Sequence, residues 1–276
     1  MTDDRHLPGG RRAPYPGAVT RYHDDLDLAL RMADAADAIS MARFRAHDLA
    51  VTTKADTTHV TDADRAVEQR IRDMLQAERP DDAIFGEEFG STGDAERQWI
   101  IDPIDGTAHY LRGAPIWATL IALVVDHHPV VGVVSAPALG GRWWAAQGQG
   151  AWTDVAKPRQ IHVSKVRELS DAVLSYNAIQ GWDGAGRIDD LVALQRDVWR
   201  ARSYGDAWSY MLLAEGTIDA VAEFDLKPYD MAALVPVIEE AGGTFTSIGG
   251  QLGPWHGSAL ASNGALHEQL LSRLAR

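Results

Sequence analysis

The chain predicts a layered α/β protein, and three observations carry that reading. Amphipathic stretches of helical spacing come first, strand-sized apolar runs joined by tight turns lie between Ile116 and Ala146, and strand-like and helix-like stretches alternate from Ala151 onward. From Tyr22 to Phe44, Leu26, Leu30, Ala33, Met41 and Phe44 recur at roughly helical spacing among Asp24, Asp25, Arg31 and Asp34. They predict a first helix whose two opening acidic residues suit its positive end. Val51 to Asp56 reads as a polar loop, and Lys54 within it as an ordinary solvated lysine. Thr61 followed three residues on by Asp64, ahead of Val67, Ile71 and Leu75, predicts a second helix with a capping-box start. That cap by itself accounts for Asp64.

Ala83-Ile84-Phe85 and Gln98 to Ile101 read as short strands, each running into an acidic motif, Gly86-Glu87-Glu88 and Asp102-Pro103-Ile104-Asp105-Gly106-Thr107. Ligands collect at such C-terminal strand ends in layered α/β proteins. Ile116 to Val125, Val130 to Ser135 and Arg142 to Ala146 then form an antiparallel meander, with His127 and His128 as turn residues. Trp143 and Trp144 are expected to split, one to the core and one to a rim or partner surface. A second half, 151–276, follows the first, 21–150, and residues 1–20 read as a mobile tail. In the second half, Ile161 to Val163 and Ala172 to Ser175 read as strands, Ile188 to Val198 as a helix, and Trp199 to Ser203 as extended. Gly205-Asp206 opens a helix through Leu213, Ile218 to Glu223 is a strand, and Asp230 starts a helix stopped by Gly242-Gly243. Two short strands, Thr244 to Ser247 and Ser258 to Ala261, and a helix from about Leu266 complete the chain.

Composition narrows the function. A formal net charge of −13 argues against nucleic acid or an anionic membrane as partner. The chain has no cysteine, which removes disulfides, thiolate metal sites and cysteine nucleophiles together. No apolar run reaches the length of a membrane span, and the first twenty residues lack the apolar core of a signal peptide despite Arg11-Arg12, so a cytoplasmic location is expected.

The chemistry lies in the acidic motifs. Glu87, Glu88, Asp102 and Asp105 crowd the two ends of a short connection, and neither motif contains a Lys or Arg to relieve their repulsion. A hard cation is the simplest relief, and an all-oxygen set of Glu87, Asp102, Asp105 and a turn carbonyl suits Mg²⁺ rather than zinc or copper. Two such ions would activate a water and stabilise a leaving oxygen, while Gly106 and Thr107 begin a turn or short helix whose N–H groups could hold phosphate oxygens. Asp230, explained alone by an N-cap, could close the same site from the second half.

This succession of Gly-Glu-Glu, Asp-Pro-Ile-Asp-Gly-Thr and a late Asp ahead of Ala-Ala and Gly-Gly resembles the inositol monophosphatase superfamily from about Leu26 to Leu274. The resemblance implies a five-layer α-β-α-β-α sandwich, a homodimer, and Mg²⁺-dependent, lithium-sensitive phosphomonoesterase activity with two or three ions. It implies metal ligands at Glu87, Asp102, the Ile104 carbonyl, Asp105 and Asp230, and a water-positioning pair of Thr107 oriented by Asp64. Glu87 is thereby also part of the catalytic set, with Glu88 and Lys54 close by. Asp105, Gly106, Thr107, Asp206 and Glu223 are the expected substrate contacts.

Within the superfamily, Ser135-Ala136-Pro137-Ala138-Leu139, Arg142-Trp143-Trp144-Ala145-Ala146 and Tyr204-Gly205-Asp206 are most similar to histidinol-phosphate phosphatases of actinobacterial type. The expected reaction is hydrolysis of L-histidinol phosphate to L-histidinol and phosphate, in histidine biosynthesis, by a metal-activated water without a phosphoenzyme. Histidinol phosphate carries an amine and an imidazole, for which Asp206, Glu223 and Asp225 offer carboxylates. Inositol phosphate or another sugar phosphate is the alternative substrate, and an inactive relative that binds phosphorylated ligands is the alternative of a different class. Three positions depart from the superfamily pattern, His109-Tyr110 after the metal motif, Tyr229 before the last Asp, and Lys227 beside the leaving-group pocket. They bear on substrate preference and not on the metal set.

Overall fold

Ile100 and Ile101, Leu120 and Ile121, and Trp143 and Trp144 are neighbours in sequence and all buried, yet within each pair the two side chains enter different apolar clusters. Successive strand residues face opposite sides, so a sheet buried on both faces needs continuous apolar strands and a layer above and below. The computed structural model, which describes residues 21–53 and 59–274, shows those layers. The N-terminal segment 1–20 and Lys54 lie outside the described residues.

Helix α1 (His23–Arg43) leads to a two-stranded ribbon, β1 (Val51–Thr53) and β2 (His59–Thr61), and to helix α2 (Asp62–Glu78). Next come β3 (Ala83–Gly86), β4 (Gly90–Thr92), β5 (Arg97–Asp105), the short helix α3 (Thr107–Leu111), β6 (Ala118–Val125), β7 (His128–Ala136), β8 (Gly141–Ala146), β9 (Ala151–Thr153) and β10 (Arg159–Gln160). Helix α2 begins with the expected capping box, Thr61 accepting from Asp64 N–H while Asp64 accepts from Thr61 N–H. The second part holds β11 (Val173–Ser175), α4 (Ile179–Gly184), α5 (Ile188–Asp197), β12 (Arg200–Arg202), α6 (Asp206–Ala214), β13 (Ala220–Phe224), α7 (Pro228–Met231), α8 (Leu234–Glu240), β14 (Thr244–Thr246), β15 (Ser258–Ser262) and α9 (His267–Leu274).

The large sheet has the order β10-β9-β8-β7-β6-β5-β3-β4, and the smaller one β12-β11-β13-β15-β14. Helices α1 and α2 cover one face of the large sheet through Leu28, Met32, Ile71 and Leu75. Its other face shares a core with α6, α8 and one face of the smaller sheet, through Leu120, Met211, Val235 and Val221. The outer face of the smaller sheet is closed by Trp182 of α4, Leu191 of α5 and Leu270 of α9. Five layers, α-β-α-β-α, result. No helix among the described residues is long and apolar enough to cross a membrane.

Several local expectations change. Trp143 and Trp144 do not divide between core and rim, because both are buried on opposite faces of β8, Trp143 donating its indole N–H to Glu215. The polar loop after Ala50 begins with β1, paired to β2, and Ile161 to Val163 is not a strand. The large sheet runs past Gly150 to Gln160, since β9 pairs with β8 and β10 with β9, so the change of sheet falls after Gln160 and not at Ala151. Strands of two or three residues are too short to show a periodicity. Asp25 does more than suit a helix end, as it is buried and accepts from Arg79 and Arg97. His127 lies in the turn as expected, whereas His128 already pairs with Val125 as the first residue of β7; Asp126 and His127 are both at positive φ, the geometry of a tight hairpin.

Candidate active site

Two pairing registers assemble the acidic motifs. Strand β3 runs parallel to β5 with Gly86 opposite Ile101, and Glu87 N–H continues the ladder by donating to the Ile101 carbonyl at 3.1 Å. Glu87 therefore leaves its strand level with Asp102. On the other edge of β5, Asp102 pairs with Leu120 but Asp105 pairs with Ala118, so three residues of β5 match two of β6. Without that bulge, residues three apart would face opposite sides of the sheet; with it, Asp102 and Asp105 converge. The bulge is pinned by Thr119, whose hydroxyl donates to Pro103 O at 2.8 Å, and by Ile104 N–H donating to Asp102 Oδ1 at 3.0 Å.

Asp230 arrives from the second part of the chain. It caps α7, accepting from Lys227 N–H at 2.6 Å, and α8 behind it lies tightly on the large sheet. Gly132 of β7 permits that approach, since a Cβ there would sit 2.2 Å from Ala233 O. Carboxylate oxygens of Asp102, Asp105 and Asp230 thus come within 4.8 Å of one another. Among the described residues, none of these three forms an ion pair with Lys or Arg. Burial, followed by the charge of Glu87, holds the Asp102 carboxyl well above its ordinary range, and burial followed by Asp206 does so for Asp105. Burial likewise raises Asp230 to about 7, with Glu87 and Asp206 adding to it against the capping N–H and the positive charge of Lys227. An oxygen-only set, Asp102 buried and Asp105 and Asp230 half-buried, that cannot ionise comfortably by itself fits a hard divalent cation.

Beside this set, Thr107 opens α3 after Gly106, which takes φ +81° and has no room for a side chain against Asp206 Oδ2 and Ile116 O. The Thr107 hydroxyl lies 3.0 Å from Ile104 O and 3.4 Å from Asp64 Oδ1. Asp64 is fully buried and keeps its capping bonds, so the cap and the contact with Thr107 hold together. Its carboxyl is raised by burial to about 6.

On the far side, Ala207 N–H at the start of α6 donates to Asp105 Oδ2 at 2.8 Å. Asp206 takes φ +41° and places Oδ2 3.3 Å from His109 Nε2. Glu223, buried, accepts from the Tyr210 hydroxyl and is raised by burial to about 7. Asp225 is exposed. Of the positions that depart from the superfamily pattern, Tyr110 is a core residue donating to Ser40 O, Tyr229 packs on Phe85, and His109 faces the site through Asp206.

A buried carboxylate next to the acidic motifs is one the sequence reading does not single out. Glu68 is 0% exposed and accepts from the N–H groups of Glu88 and Phe89. Its signal was available, because Asp64, Glu68 and Arg72 follow one another at helical i, i+4 spacing.

Residues 23–276 match the model of the inositol monophosphatase family. A histidinol-phosphatase of Streptomyces coelicolor is 52% identical over 92% of this chain and 97% of its own length. Another, of Mycobacterium tuberculosis, is 53% identical over 91% of this chain and 98% of its own length. Among solved structures, an inositol monophosphatase from Zymomonas mobilis superposes with a TM-score of 0.82 at 34% identity, covering 93% of this chain and all of that one. With a match spanning all but the first residues and relatives covered almost end to end, the chain belongs to the inositol monophosphatase family.

Proposed function

We propose that this protein is a Mg²⁺-dependent phosphomonoesterase that hydrolyses L-histidinol phosphate to L-histidinol and phosphate. The observation that carries the reaction is the convergence of Asp102, Asp105 and Asp230 within 4.8 Å beside the Asp64–Thr107 contact. The names of its relatives at 52% and 53% identity support the substrate. Glu87, Asp102, the Ile104 carbonyl, Asp105 and Asp230 would hold the metal, two or three ions in number. When bound, these ions supply Lewis-acid polarisation of the phosphate and lower the pKa of water.

The chain's own residues do the rest. With a carboxyl pKa of about 6, Asp64 is largely ionised at neutral pH and accepts the hydrogen bond of the Thr107 hydroxyl. The Thr107 oxygen is then left to accept from a water and to aim it at phosphorus. Gly106 and Thr107 present backbone N–H groups to the phosphate oxygens. Asp206 and Glu223 face the departing alcohol. Burial makes ionisation of Glu223 costly, and a substrate ammonium or imidazolium beside it offsets that cost. A neutral polyol would not. The same reading takes the protein to be a homodimer.

Phosphate release from histidinol phosphate and from inositol phosphate, side by side with Mg²⁺, tests the assignment. The expected outcome is turnover of histidinol phosphate with kcat/KM at least about a hundredfold higher, since a buried carboxylate left unpaired costs several kcal/mol. Preference for inositol phosphate would overturn it, and no Mg²⁺-dependent release from either would leave the inactive ligand-binding alternative.

A further inference from the structure

We infer that Glu68, together with Arg72, is a positioning residue that fixes the Glu87 end of the metal site. Both stand on α2, one and two helical turns beyond Asp64, and Glu68 lies beneath the turn that carries Glu87. Its Oε2 accepts from Glu88 N–H at 2.7 Å and its Oε1 from Phe89 N–H at 3.2 Å. The Glu88 N–H belongs to the peptide that joins Glu87 to Glu88, so Glu68 sets the plane of that peptide and hence the direction of the Glu87 side chain. Arg72 closes the arrangement. Its Nε donates to Glu68 Oε1 at 2.8 Å, and its terminal nitrogens reach Gly90 O and Thr92 Oγ1 on the returning strand.

The fit is close enough to determine a neighbouring residue type. A Cβ on Gly86 would lie 2.0 Å from Glu68 Oε1, so this position is glycine because the carboxylate occupies the space, with no positive φ demanding it. A fully buried carboxylate is a poor choice for stability alone, because a buried ion pair is often replaced by apolar packing at no loss. Its backbone acceptors on the turn, one residue from Glu87, give it a reason to be there. Groups that orient metal ligands in this way typically govern metal affinity by about 10- to 100-fold. Helix α2 then serves the site twice, presenting Asp64 to Thr107 and anchoring the turn of Glu87.

The inference rests on Glu87 being a metal ligand, and the experiment separates the two. Mn²⁺ binding to the full-length protein is followed by electron paramagnetic resonance without substrate, for the wild type and for Glu68→Gln, Arg72→Lys, Glu87→Gln and Glu78→Ala. Glu78 lies on the same helix in an exposed pair with Arg31, and serves as the control. Glu68→Gln is expected to weaken Mn²⁺ binding about tenfold, and to raise the Mg²⁺ concentration for half-maximal turnover, while kcat at saturating Mg²⁺ returns to near wild type. Glu78→Ala should leave all three unchanged. A loss of less than about threefold in both folded clamp variants would overturn the inference. If Glu68→Gln does not fold, Arg72→Lys decides by the same criterion, and if neither folds the pair is scaffold and the inference fails. Wild-type Mn²⁺ binding by Glu87→Gln would instead remove Glu87 from the ligand set, and the inference with it.

Discussion

Replacing Asp230 with asparagine should abolish activity while making the metal-free protein more stable, and only above mildly acidic pH. The Asp230 carboxyl is held at about 7 against an ordinary 3.8. Because the folded value lies above the unfolded one, the fold is penalised by the charge once pH exceeds 4, increasingly so until 7, and by a constant amount beyond. Below pH 4 the group is protonated in both states and contributes nothing. The full shift corresponds to about 4 kcal/mol, and since Glu87 and Asp206 share the repulsion and can relax, about half is a fair expectation. Asparagine keeps the acceptor for Lys227 N–H, so the cap of α7 survives. For a chain of this size about 2 kcal/mol is roughly 4–8 °C in Tm. Thermal unfolding in EDTA at pH 5 and pH 8 provides the assay: the variant should gain that amount over wild type at pH 8 and much less at pH 5. A variant no more stable than wild type at pH 8, or a gain equal at both pH values, would refute the placement of Asp230 in a repelling acidic cluster.

Two further outcomes follow from the same geometry. Mg²⁺ should stabilise the wild type by about 2.7 kcal/mol at a hundred times its Kd at pH 8, roughly 5–10 °C in Tm. That gain should shrink toward pH 5, because Asp102, Asp105 and Asp230 all hold protons above the ordinary carboxylate range and must release them to bind, and differential scanning fluorimetry with equal gains at both pH values would contradict it. Thr107→Ala and Asp64→Asn should each lower kcat by about 10²- to 10³-fold at saturating Mg²⁺ with KM nearly unchanged, since they aim a water and hold neither metal nor leaving group. Steady-state kinetics with kcat within about fivefold of wild type would remove the pair from the reaction.

What the sequence alone determined is the chemistry. Residue type dictates it locally: four carboxylates in two motifs that hold no Lys or Arg, in a chain without thiolates, ask for a hard metal, and Thr61-x-x-Asp64 caps the helix that follows it. The strands from Ala118 to Ala146 were legible for the same reason, since their apolar runs and turn residues act over a few positions. What only the tertiary structure decided is which of those groups meet. Asp102 and Asp105 face one side because β5 bulges against β6, Glu87 is level with Asp102 because β3 pairs parallel to β5, and Asp230 reaches them because Gly132 lets α8 settle on β7. The burial of both Trp143 and Trp144, the sheet that continues to Gln160 and the anchoring of the Glu87 turn by Glu68 are of the same kind. Strand register, facing and burial depend on partners far away in the chain, and no short window of residues contains them.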